Sequence, residues 1–115
     1  MEKYIKNIEA GEVTSLAEQV NYMPGQIVSK TLAQNDYVSL TLFAFDAGEE
    51  ISSHESEGDA MVTALDGVGR VTIDGREFEL KAGQTIIMPA KKPHAVLAVQ
   101  QFKMFLTVVF PLNRG

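Results

Sequence analysis

From Gln26 onward, apolar and polar residues follow one another in short runs rich in β-branched and aromatic side chains, and turn-forming residues separate the runs. The runs fall at 26–32, 37–45, 50–54, 60–66, 69–73, 76–80, 85–88, 94–99 and 102–110, a spacing that predicts an all-β sandwich or barrel. Between 71 and 78 the pattern is broken only by Asp74-Gly75, the pair that supplies the two positive-φ residues of a two-residue primed turn, so a hairpin is predicted there. Gln34-Asn35-Asp36 is a second turn candidate, joining 26–32 to 37–45. The one helical expectation is at 13–20, where Leu16, Ala17 and Val20 share a face and Thr14 or Ser15 stands at the capping position.

Several runs are apolar on both faces. Val38, Leu40, Leu42 and Ala44 alternate with Phe43 and Phe45, and 104–110 is apolar nearly throughout. An antiparallel sheet with one wet face alternates polar and apolar residues cleanly, so both faces of these strands must be covered. A barrel covers one face in its lumen. The other face needs the N-terminal arm, a loop or a second subunit. Residues 1–25, with Tyr4, Ile5, Ile8, Val13, Leu16, Val20 and Tyr22, carry too much apolar surface for a free tail. The expected organisation is an arm at 1–25, packed on the barrel or on a partner, followed by a barrel at 26–112, and a homodimer is the economical cover for what remains.

The 115 residues suit one domain with one core. Apolar residues at 45% and charged residues at 22% are near globular averages, so neither disorder nor a membrane class is indicated. A net charge of −5 leaves no electrostatic footprint for nucleic acid, and Lys91-Lys92 is the only adjacent basic pair. The N-terminus lacks the apolar stretch of a signal peptide, and the apolar run 104–112 is too short for a membrane helix, so a cytoplasmic protein is expected. With no cysteine, thiolate nucleophiles and sulfur-ligated zinc are excluded. Site chemistry must use oxygen and nitrogen.

The only two histidines, His54 and His94, sit in frames of glycine and proline. Gly48 is followed after five residues by His54-Glu55-Ser56, then by Ala60 and by Gly67; Gly83 is followed after five residues by Pro89, then by Lys91, His94 and Ala98. The segment 68–82, holding the Asp74-Gly75 hairpin, joins the two frames. This arrangement resembles the paired motifs of small single-domain cupins, over about 48–98 by motif and 26–110 by strand pattern. The resemblance implies a cupin β-barrel of the jelly-roll kind. It also implies a lumen site that in metal-binding members holds a divalent transition metal such as Fe, Mn, Zn or Ni.

The departures from that pattern bear directly on function. Ser56 and Ala60 stand where the family carries a second histidine and a glutamate, Lys91 stands at a motif glycine, and Ala98 at a motif asparagine. His54 and His94 remain as metal-ligand candidates, and mononuclear sites want at least three strong ligands. Strand alternation turns Glu55 and Glu57 away from a lumen that His54 and Ser56 face. Asp59 reaches inward only through a one-residue bulge, which makes it the weak candidate for a third ligand.

The expected ligand pocket comprises His54, Ser56, Ala60, Val62, His94, Val96 and Ala98, with Met88, Met104, Phe43 or Phe105 as the bulky residues that fill the space otherwise. Lys91-Lys92 falls at the mouth, either as a solvated turn or as an attraction for anions. The favoured function is a small-molecule-binding cupin with a reduced or absent metal site, its ligand unidentified. The alternatives are a metal-dependent oxygenase or isomerase using both histidines, and a stand-alone effector-sensing domain. In the first reading the histidines bond to Ser56, to water or to each other.

Overall fold

A computed structural model describes residues 3–112. Its nine strands are β1 (Ile27–Gln34), β2 (Val38–Phe45), β3 (Glu50–His54), β4 (Asp59–Asp66), β5 (Val68–Ile73), β6 (Arg76–Lys81), β7 (Thr85–Met88), β8 (His94–Ala98) and β9 (Phe102–Val109). Each of the expected runs is a strand, with ends moved by no more than a residue or two. The strands form a five-stranded sheet ordered β1-β2-β9-β4-β7 and a four-stranded sheet ordered β3-β8-β5-β6. All pairings are antiparallel.

The Asp74-Gly75 turn has φ of 49° and 84° and places Ile73 opposite Arg76, as a primed hairpin requires. Asn35 makes the β1–β2 turn by accepting hydrogen bonds at its side-chain oxygen from the backbone N–H groups of Tyr37 and Val38.

The two sheets enclose one core. Ala60, Val62 and Ala64 of β4 face Phe102, Met104 and Val108 of β9 and, from the other sheet, Val71, Val96 and Ala98. Phe45 and Phe102 lie ring to ring at 5.8 Å. Each large side chain fully buried here contributes about 1.5–3 kcal/mol relative to exposure. Gly69 of β5 lies flat beneath the Phe102 ring, where any side chain would collide with it.

A second, smaller cluster lies on the outer face of the five-stranded sheet. Leu32, Leu42 and Ala44 are covered there by Val20, with Ile8, Leu16 and Tyr22 packed around them. The described part of the arm is fastened by polar contacts as well. Tyr22 donates to the Asp66 carboxylate, Lys103 Nζ donates to the Ala17 carbonyl at 2.6 Å, and Lys6 N–H donates to the Leu32 carbonyl at 2.8 Å. Burial and the Asp66 carboxylate together push the Tyr22 hydroxyl far above the usual tyrosine range, which keeps it a donor.

The helix expected at 13–20 is not formed. Only a 3-10 turn at Leu16–Gln19 is present, flanked by extended residues at Ser15 and Val20, and the Ser15 side chain makes no cap. So short a helix would not repay its nucleation. An extended chain, by contrast, lays Leu16 and Val20 on the sheet while leaving Val13 in solvent. Tyr4 and Ile5 also remain exposed, and beyond the arm's cover Met61, Ile87 and Val109 stay open on the same outer face.

Candidate functional site

β3 and β8 are neighbours, and their register sets His54 directly opposite His94. β8 is held on its other side by β5, where Ile73 pairs with His94 and Asp74 N–H donates to the Pro93 carbonyl at 2.8 Å. The loop before His94 is therefore anchored by the central hairpin. Lys91 has φ of 65°, the left-handed conformation for which a glycine is best suited, and its N–H donates to the Ser56 carbonyl at 2.8 Å. That bond ties the segments carrying the two histidines to each other.

The ring nitrogens are assigned by their partners. His54 Nδ1 lies 2.9 Å from the Ser52 carbonyl and His94 Nδ1 lies 3.1 Å from the Lys92 carbonyl. A carbonyl can only accept, so both Nδ1 atoms carry hydrogen and both Nε2 atoms of the neutral rings present lone pairs. These Nε2 atoms face each other at 3.2 Å, with the rings edge to face. Two lone pairs at that distance repel unless a proton or another electrophile stands between them. His94 is buried and His54 is exposed. Burial, and next the charge of His54, push the His94 pKa below the usual histidine range, against the opposing pulls of the Lys92 carbonyl and Glu55. The lowered value disfavours a proton resident on His94.

Beyond the pair lies a cavity of about 430 Å³ between the sheets. Ala60, Met88, Val96, Met104 and Val108 make much of its apolar wall, and His54, Glu55, Ser56 and His94 bring the polar atoms. A mostly apolar concavity with a few convergent polar groups has the form of a small-molecule site.

The sequence pattern of the cupin domain matches residues 41–110, a span containing both histidines and the residues that line the cavity. The chain belongs to the cupin superfamily. Its fold superposes on a conserved protein of unknown function from Streptococcus pyogenes with a TM-score of 0.94 and 45% identity, covering 96% of each chain. It also superposes on a cupin superfamily protein from Desulfitobacterium hafniense with a TM-score of 0.89 and 31% identity, covering 93% of this chain and 98% of the other. An uncharacterized protein from Methanocaldococcus jannaschii is 32% identical over 90 residues, 78% of this chain, which spans only 54% of that relative's length.

Of the residues expected to line the pocket of this cupin, His54, Ser56, Ala60, His94 and Val96 do so. Val62 and Ala98 do not. They point inward but lie deeper, packed into the solid core around Phe102 and Val71. Met88, Met104 and Phe43 are wall residues that leave the space open, while Phe105 points to the outer face. Glu55 overturns the expectation from strand alternation. The β3–β8 register shifts between Ile51 and His54 and β3 ends at His54, so the two-residue period does not extend to Glu55, which lines the cavity.

Asp59 is not a ligand candidate in this fold. Its Oδ1 accepts the Ala90 N–H at 2.8 Å, and it lies in a separate surface depression with Glu57 and Pro111. Lys92 lines an outer groove with Arg76 rather than the cavity mouth. Two imidazole nitrogens converge, but among the described residues no group of three or more His, Cys, Asp or Glu side chains is placed to hold an ion. The donor set does not fit a mononuclear transition-metal site.

The buried ring also sets a pH dependence. Because the folded state depresses the His94 pKa, the unfolded chain binds that proton more readily, and acid favours unfolding. Stability from this group is fully present above the unfolded histidine value of about 6.5 and is lost as pH falls through the lower folded value. Urea unfolding between pH 7.5 and 4.5 is expected to show this acid slope, and His94→Gln to flatten it. An unchanged slope in the variant would assign the acid sensitivity to other groups.

Proposed function

We propose that this cupin binds a small, largely apolar molecule in the cavity between its sheets, with no resident metal, and that the His54–His94 pair is the polar anchor. The observation that carries the reading is the cavity itself. It keeps apolar walls and an open volume of about 430 Å³ beside two imidazoles with which, among the described residues, no third His, Cys, Asp or Glu side chain is placed to hold an ion. The space that a glutamate and a second histidine would occupy in a metal-binding relative is bounded here by Ala60 and Ser56. A metal-dependent oxygenase or isomerase would need a further strong ligand, whereas an effector-sensing domain would use the same cavity in the same way.

The test is methyl-resolved NMR of the protein titrated with small apolar alcohols and amines. The expected shifts concentrate on Ala60, Met88, Val96, Met104 and Val108, with the His54 and His94 ring signals moving in step. Shifts confined to the outer groove around Phe78 and Ile86 would place binding elsewhere. The same reading assigns a second copy of the chain as cover for exposed Met61, Ile87 and Val109. Light scattering is then expected at twice the chain mass, and a monomer would remove that assignment.

A further inference from the structure

With one exception, the polar atoms that the cavity offers to a ligand accept hydrogen bonds. The Nδ1–H groups of both histidines are committed to the Ser52 and Lys92 carbonyls, so the Nε2 pair is what remains for a ligand. Glu55 adds a carboxylate to the same lining. Ser56 is the exception: its oxygen accepts the Gly58 N–H at 3.2 Å, which leaves its own proton to donate. Among the described residues, no lysine or arginine lines the cavity.

We infer that the ligand carries a primary ammonium group on a small apolar body, the ammonium donating to the two Nε2 atoms, with the Glu55 charge on the same cavity wall, while the body lies against Ala60, Met88, Val96 and Met104. The inference rests on the reading of this cavity as a ligand site. A carboxylate or phosphate would exchange its hydration for a wall of acceptors and one hydroxyl, a poor trade for a charged group. A neutral alcohol has one proton to give where two ring nitrogens stand, and no charge to set against Glu55. An ammonium has three, and its charge complements Glu55. Nε2 atoms 3.2 Å apart are close enough for one donor group to face both. On entry its N–H replaces any proton shared by the rings, and that proton leaves to water. The chain's net charge of −5 favours the approach of a cation.

The test is calorimetric titration of the full chain, in the presence of a chelator, with hexylammonium, hexanol and hexanoate. Hexylammonium is expected to bind one to one and about tenfold or more tighter than hexanol, with hexanoate weakest, as charge-assisted hydrogen bonds predict. Glu55→Gln, an exposed position outside the core, is expected to remove most of the hexylammonium advantage over hexanol while leaving the melting temperature unchanged. Equal binding of hexanol and hexylammonium, unaffected by Glu55→Gln, would overturn the ammonium assignment and leave the cavity as a ligand site. Tighter hexanoate binding would overturn it as well. Failure of all three to bind, together with no NMR shift at the cavity methyls, would remove both readings.

Discussion

Replacing Ser56 by histidine and Ala60 by glutamate in one chain is expected to convert weak, unsaturable interaction with Fe²⁺, Mn²⁺ or Ni²⁺ into tight one-to-one binding. Both positions line the cavity that His54 and His94 face, so the new imidazole and carboxylate would complete a donor set of four around the space beside the Nε2 pair. Such a set meets the ligand number that a mononuclear centre needs, whereas in the parent, among the described residues, no third His, Cys, Asp or Glu side chain is placed to hold an ion with the two nitrogens. Ala60 is almost fully buried, so the glutamate costs stability in the metal-free variant, and added metal is expected to restore it by mass action. The readout is therefore a melting temperature that rises steeply with metal in the double variant and hardly at all in the parent. A folded double variant that gains no affinity would mean that the two side chains do not aim at the histidine pair.

The largest effect on folding is expected from Gly67→Ala. Gly67 links β4 to β5 with φ of 74°, and an added Cβ there would fall inside the Gln101 carbonyl oxygen. Neither obstacle can give way cheaply, because the first is the residue's own backbone and the second is the backbone next to Phe102. Left-handed strain and the displacement of that segment together are expected to cost about 3 kcal/mol or more. For a chain of this size that lowers the melting temperature by on the order of 15 °C. Gly11→Ala is the matched control: its φ of 77° carries the same conformational penalty, but nothing lies within 4 Å of the added carbon. It is expected to cost about 1 kcal/mol. Equal losses in the two variants would show that conformation alone, and not close approach, demands glycine at 67.

The strand pattern was legible because its determinants are local. Alternation in β4 and β9, the Asp74-Gly75 turn and the Asn35 turn each depend on residues a few positions apart, and two-faced apolarity in β2 announced a second covered surface. The two motif frames made a lumen shared by His54 and His94 legible, whereas their direct opposition on neighbouring strands comes from the register of β3 and β8. Depth within the lumen was not legible. Ala60 and Val62 point the same way, yet one borders open space and the other is sealed in the core, a difference set by the facing strands rather than by either residue. Glu55 was misplaced because the irregularity after Ile51 and the end of β3 at His54 interrupt an alternation that a sequence reading carries on unbroken. The helix at 13–20 failed for a tertiary reason, since the sheet's outer face offers Leu16 and Val20 a better partner than a helix of one turn. Asp59 chose the Ala90 N–H across the barrel end, a partner 31 residues away that no local pattern reveals.

Elemental analysis of the protein purified without a histidine tag and without chelator tests the central claim most directly. The His54–His94 pair, with no third metal-ligating side chain placed beside it among the described residues, predicts well under one transition metal per chain. Near-stoichiometric metal that disappears in a His54→Ala variant would contradict it.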